Sequence, residues 1–407
     1  MHPPDPIDPT SLTVLAYRTP VDLGFDPERV ERAWISLVRA ADAHQYGGAV
    51  ALIMRRRQVV LHRATGWAVR EPEDQRSPMG ADAIFDLASL TKVVATTPAI
   101  LHLVAAGKIA LDGPVGEILP EFGTEGAKAD VTIRRLLTHS AGLGAWRPVF
   151  LKGTGPDAYL ADFAATQPEH PPGGQVVYSD PGFITLGEVV RRVSGDPVSV
   201  YAEREIFRPL GMVDTMFTPP RALRSRIVAT ETGNGFEAGK EPERAPVNGG
   251  WRDYPLRGEV HDGNAWYGFA GVAGHAGLFG TALDLARYGL FWVNGGALGD
   301  TRILPGELVT EARTNQIGIP GETERRGLGW RLLPQPGETD EIPDSGRGLG
   351  ERAFGHTGFT GTSLWMDPDR DLVIVLLTNR VHPTVTNDYL ETRAAFTAAI
   401  AGALRSG

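Results

Sequence analysis

Residues 86 to 98 read DLASLTKVVATTP, with a serine and a lysine three positions apart at the mouth of an apolar run. Ile84, Phe85 and Leu87 lead into that run, and the spacing predicts a helix to about Ala106 with Gly107 as its stop. Pro98 lies inside it and removes one backbone hydrogen bond, at a cost of up to about 3 kcal/mol, so a kink is expected there. Positions three apart share a helix face, so Lys92 can reach the Ser89 hydroxyl if the helix begins at the serine. A serine hydroxyl is a poor nucleophile until a base takes its proton. A lysine is a base only when neutral, which calls for burial or a neighbouring positive charge. Leu87, Leu90, Val93 and Val94 are apolar flanks consistent with burial. By itself the pair does not separate an active serine from two ordinary first-turn residues.

Upstream, GFDPERVERAWISLVRAADAH places Asp26 as a helix cap, Pro27 at the first position, and Val30, Trp34, Leu37 and Val38 on one face. GGAVALIMRRRQVVLHRATGWA then reads as two strands joined by a turn at Arg56 and Arg57. Residues 1–20 hold five prolines and read as an irregular lead-in. Downstream, from DVTIRRLLTHSAGLGAW to LGEVVRRVSGDPVSVYAEREIFRPLGM, the pattern is helical with proline- and glycine-rich loops. Residues 219 to 280 are long, irregular and rich in glycine and aromatics, which marks functional loops rather than disorder. A helix over 282–294 follows, then the strands FGHTGFTGTSLWMDP and LVIVLLTNRV around the turn DPDRD, and a helix over about 388–404. The simplest assembly is an α+β fold. It has an antiparallel sheet flanked by N- and C-terminal helices (21–88 and 281–407), with a helical domain and long active-site loops (89–280) inserted between its strands.

Composition narrows the chemistry. The 407 residues carry 40 lysines and arginines against 49 aspartates and glutamates, a net charge of −9 without a long single-sign block, so nothing recruits nucleic acid or anionic lipid. There is no cysteine, which excludes disulfides, thiolate nucleophiles and cysteine metal sites. The first twenty residues lack the features of a secretory signal and no later run approaches membrane-spanning length, so the chain reads as cytoplasmic.

Two further motifs give Ser89 its meaning: VVYSDPGF at 176–183 and FGHTGFTGT at 354–362. With them the sequence resembles the penicillin-recognising serine hydrolases: class C β-lactamases, DD-peptidases and β-lactamase-like esterases. That family carries serine-x-x-lysine at a helix start, tyrosine-x-asparagine in a loop of the helical domain, and lysine-threonine-glycine on an edge strand. Here these positions hold Ser89 and Lys92, Tyr178 and Asp180, and His356, Thr357 and Gly358. The connecting stretches LVAAGKIALDGPVGEILPEF and IRRLLTHSAGL extend the resemblance over most of residues 25–400. It implies that Ser89 attacks a carbonyl, that Lys92 and Tyr178 share the proton transfers, and that an acyl-enzyme forms and is hydrolysed. The backbone amides of Ser89 and Phe359 would hold the oxyanion.

Two departures bear on substrate. Asp180 exchanges an amide that can donate for a carboxylate that only accepts when ionised. His356 replaces a fixed positive charge with a group mostly neutral near pH 7 unless its surroundings raise its pKa. Both weaken the case for β-lactam hydrolysis and favour a β-lactamase-like carboxylesterase acting on a small-molecule ester, amide or peptide without cofactor or metal. A muropeptide amidase or peptidase and a weak β-lactamase are the rivals within the class, and a non-catalytic peptide-binding or scaffold relative is the rival outside it. Oligomeric state is not legible.

The segment GEVHDGNAWYGFAGVAGHAGLFG adds His261, Asp262, Asn264 and His275. Their spacing matches no compact metal motif, so polar groups satisfying one another in a tight loop is the preferred reading over zinc. Trp266, Tyr267 and Phe269 are candidates for lining the substrate pocket, and His139 reads as structural rather than catalytic.

Overall fold

The hairpin predicted at Arg56 and Arg57 organises the main sheet. Both residues adopt left-handed φ (48° and 64°), which gives the tight two-residue turn that matches strand twist, and Gly48–Arg55 pairs antiparallel with Gln58–Val69 around it. These coordinates are a computed structural model that describes residues 15–334, 346–386 and 389–405. Across the sheet the strands run Ala16–Tyr17, Gln58–Val69, Gly48–Arg55, Leu372–Thr378, Ser363–Asp367, Phe354–Thr357 and Arg331–Leu332. Every neighbouring pair is antiparallel except the first. Residues 16 and 17, expected within an irregular lead-in, therefore add an edge strand; residues 1–14 lie outside the described residues.

The two central strands are buried on both faces, which is why GAVALIM and LVIVLLT read as unbroken apolar runs. Alternation still sorts their side chains. Ala49, Ala51, Ile53, Leu372, Ile374 and Leu376 pack with Val30, Trp34 and Leu37 of helix Pro27–Asp42 and with Phe396 and Ile400 of helix Tyr389–Gly402. Val50, Leu52, Met54, Val373, Val375 and Leu377 belong to a second cluster with Leu285 and Tyr288 of helix Ala282–Val293, and it continues to Leu101, Phe183 and Tyr201. Gly289 permits the close seating of that helix, since a Cβ there would lie 2.5 Å from Val373 Cγ1. Asp26 caps the N-terminal helix by accepting from the Glu28 and Arg29 amides at 3.0 and 3.1 Å.

Three features of the fold position the site. The helix after Ser89 opens as a π turn over Lys92–Thr96, closed by the Thr97 amide on the Lys92 carbonyl, and becomes α-helical over Thr97–Ala105. Pro98 thus falls where the ordinary i to i−4 ladder is already interrupted, so its missing N–H costs little. Gly107, at φ 65°, ends the helix as expected. A small sheet pairs Phe85–Asp86 with Leu278–Gly280, and the latter with Met216–Phe217. It draws the glycine-rich segment against the Ser89 turn. Helix Asp180–Ser194 starts with Ser179 Oγ accepting from the Gly182 amide at 3.2 Å. Among the described residues no helix is long and apolar enough to cross a membrane.

Candidate active site

Ser89 stands on a forced turn. Ala88 before it has φ 47°, a left-handed conformation that costs a non-glycine residue on the order of 1–3 kcal/mol. Asp86 holds it there: its carboxylate accepts from the Ala88 amide at 2.9 Å and from the His261 amide at 2.7 Å. Burial raises the Asp86 carboxyl pKa against the pull of those two amides. From the other side, Thr360 and Thr362 donate their hydroxyls to the Asp86 and Leu87 carbonyls at 2.7 and 3.0 Å. Gly358 lets this junction close, because a side chain there would collide with the Thr362 hydroxyl and the Leu87 carbonyl. The third motif is therefore bolted to the turn that carries the first. The amides of Ser89 and Phe359 donate to no acceptor among the described residues, which leaves two N–H groups free beside the hydroxyl.

Lys92 is fully buried, and its Nζ donates to Ser89 Oγ at 3.0 Å and to the His275 carbonyl at 3.2 Å. Its Nζ also lies 2.7 Å from Asp180 Oδ1 and 4.9 Å from the centre of the Tyr178 ring. The sequence called for burial to make this lysine neutral, and the structure differs. Burial does work against the charge, but the Asp180 carboxylate and the Tyr178 hydroxyl outweigh it and raise the Lys92 pKa above its ordinary value. Asp180 thus keeps the resting lysine an ammonium.

Tyr178 is held by His139. The His139 ring packs against it at 4.6 Å between centroids with the planes tilted by 40°, His139 Nδ1 accepts from the Ser179 amide at 3.0 Å, and the His139 carbonyl accepts from the Val177 amide at 2.8 Å. Burial, followed by the charges of Arg326 and Lys92, pushes the His139 pKa well down, so the imidazole is neutral and its Nδ1 is free to accept. His356 is also driven well below its ordinary value by burial and by Arg326 and Lys92, and it contacts the Thr357 carbonyl through Nδ1 at 2.8 Å. It supplies no positive charge.

The cavity in front of Ser89 has a volume of about 560 Å³ and is also lined by Tyr178, Asp180, His356, Thr357, Gly358 and Phe359. Trp266, Tyr267 and Phe269 are elsewhere: they surround a second cavity of about 550 Å³ behind the glycine-rich segment. Only the ends of that segment, His261, Asp262, His275 and Ala276, reach the first cavity. The two histidines do not meet at a common ion. His261 Nε2 pairs with Glu231 and His275 Nε2 with Asp262, each at 2.9 Å. Asp180, Asp262 and His275 do bring ligand-capable atoms within 4.8 Å of one another, but the Lys92 ammonium already stands 2.7 Å from Asp180 as their cation.

Some lining residues had no signal in the sequence. Arg326, in GETERRGLGW, is buried beside Tyr178, with its guanidinium 5.6 Å from the ring centre. One of its nitrogens pairs with Glu324, while among the described residues Nε and Nη1 have no partner.

A serine on a strained turn, a buried lysine on its hydroxyl, a tyrosine over that lysine and two open amides stand in a chain that matches a family profile. The profile described as beta-lactamase matches residues 34–399. This chain belongs to the beta-lactamase family. An Escherichia coli (strain K12) protein with the provisional name of a D-alanyl-D-alanine carboxypeptidase is 32% identical over 92% of this chain and 87% of its own. A penicillin-binding protein homologue from Caulobacter crescentus superposes with a TM-score of 0.69 at 24% identity, covering 94% of this chain and 99% of that one. EstCE1, a hydrolase with promiscuous acyltransferase activity, gives 0.68 at 22% identity over 93% and 98% of the two chains. These two solved structures speak for the fold alone. The family and the carboxypeptidase-named relative make this beta-lactamase-family chain a serine hydrolase.

Proposed function

We propose that this hydrolase is a carboxypeptidase that releases a C-terminal residue with a free carboxylate from a short peptide through an acyl-enzyme on Ser89. Arg326 carries the reading. A buried guanidinium with two open nitrogens is costly unless an anion meets it, and this one faces the cavity beside His356, where the charge of the missing third-motif lysine would have stood. The carboxypeptidase name of the Escherichia coli relative supports it.

In this mechanism Ser89 Oγ attacks the scissile carbonyl and passes its proton to Lys92 Nζ as that ammonium gives one of its own to the Asp180 carboxylate 2.7 Å away, with Tyr178 beside the pair. The Ser89 and Phe359 amides take the oxyanion. Collapse breaks the C–N bond, and the cluster returns a proton to the leaving amine. Water then attacks the ester along the same proton path and frees Ser89. Because Asp180 keeps Lys92 charged at rest, the ammonium serves first to orient Oγ and stabilise negative charge in the cluster.

The test is kcat/KM on a peptide ending in D-alanyl-D-alanine against the same peptide as its C-terminal amide. The acid is expected to be favoured by about tenfold or more, and Arg326→Gln to remove the preference. Equal turnover of acid and amide, with faster cleavage of simple esters, would return the site to the carboxylesterase reading. Absence of any acyl mass on Ser89 would favour the non-catalytic one.

A further inference from the structure

We propose that Arg393, with Arg380 beside it, forms a second anion subsite in the catalytic cavity that takes a carboxylate on the acyl portion of the substrate. The proposal rests on the acyl-enzyme reading above and deepens it. Both arginines come from the C-terminal part of the chain, both line the cavity that holds Ser89, and each is only 6% exposed.

Their surroundings differ. Arg380 is engaged: its Nε donates to the Phe359 carbonyl at 2.6 Å, it bonds the Thr386 carbonyl, and its guanidinium lies 4.5 Å from the Phe359 ring centre. Arg393 lies 5.6 Å from the Tyr389 ring centre, and its buried Nε has no partner. Among the described residues no acceptor or carboxylate meets its side chain. Burial first and then the charge of Arg393 pull the Arg380 pKa down to about 10. A buried guanidinium left open next to another is an unfavourable arrangement that an anion relieves, and the planar fork suits a carboxylate.

Position assigns the subsite to the acyl side. Arg326 groups with Tyr178 and His356 on the cavity wall. Arg380 is tied to the Phe359 carbonyl, and Phe359 carries one of the two open amides, so this arginine pair borders the oxyanion side of the cavity and is separate from the Arg326, Tyr178 and His356 group. A peptide threading the cavity with its terminal carboxylate on Arg326 directs its acyl portion toward Arg393.

The test uses two aryl esters of equal acyl length, the monoaryl ester of adipic acid and the aryl ester of hexanoic acid, on the full chain. Neither leaving group carries a carboxylate, so Arg326 does not enter. The wild-type protein is expected to favour the adipate by about tenfold or more in kcat/KM. Arg393→Gln should bring the ratio toward one, and Arg393→Lys should retain part of it. A wild-type ratio near one, or a ratio that survives Arg393→Gln, overturns the proposal. The wild-type ratio is read without any variant, so a misfolded substitution does not obscure it. If the peptide acid and amide are cleaved alike while the adipate preference holds, the Arg326 reading fails and this one stands; the converse separates them the other way.

Discussion

Two cavities of nearly equal volume, about 560 and 550 Å³, lie on either side of residues 261–276, and only one has the chemistry of a catalyst. The first gathers Ser89, a buried lysine–aspartate ion pair and cationic arginines. The second is walled by Trp266, Phe269, Ile184 and Val198, with Glu188 already paired to Arg191 at 2.6 Å. Size and apolar lining alone would not rank them. What separates them is unsatisfied polarity: open amides and arginines with unpartnered nitrogens line the first, whereas the carboxylate and guanidinium on the wall of the second answer each other.

That contrast can be broken by substitution. The largest effect belongs to Ser89→Ala, which is expected to lower turnover by about 10⁴-fold or more while leaving the melting temperature nearly unchanged. Retained turnover of a chromogenic ester would move the nucleophile elsewhere. Asp180→Asn comes next. It removes the charge that raises the Lys92 pKa, so the limb of the kcat/KM profile that reports Lys92 should move to lower pH by about a unit or more. A profile that does not move is incompatible with the ion pair setting the lysine's charge.

Phe269→Ala tests the second cavity. It should cost about 2 kcal/mol of stability, seen in denaturant melts, with kcat/KM altered by no more than about threefold. A larger kinetic effect would make the second cavity part of the catalytic apparatus. The smallest effect concerns Glu237, which lines the first cavity and whose pKa burial and then Asp262 raise from 4.5 to about 7. A carboxyl raised in the folded state contributes stability that is full below about 4.5 and is lost as pH climbs through about 7. The wild-type melting temperature should therefore drop over that window relative to Glu237→Gln, which cannot ionise. Parallel curves for the two proteins would rule out a titrating Glu237.

Much of the fold was legible because its signals are local. Asp26 and Pro27 start a helix through their own backbone chemistry, Arg56 and Arg57 mark a hairpin between two apolar runs, and Gly107 stops a helix by adopting left-handed φ. The three motifs were legible as an ordered set. The orientation of Trp266, Tyr267 and Phe269 was not, because the chain is coiled into a π turn over Asn264–Gly268 and its middle faces away from its ends. Arg326 and Arg393 left no trace either, since neither sits in a motif and both matter only through what fails to meet them in space.

By itself, then, the sequence determined that Ser89, Lys92 and Tyr178 belong together with the third motif at His356, Thr357 and Gly358. Those are properties of residue type and order, whereas the need for glycine at Gly358 came from the fold, which brings the Leu87 carbonyl against it. The charge of the lysine was decided only in three dimensions. Apolar neighbours along the chain argue for a neutral Lys92, but a carboxylate brought to 2.7 Å by a separate helix reverses that, because electrostatic energy depends on distance and burial rather than on sequence separation.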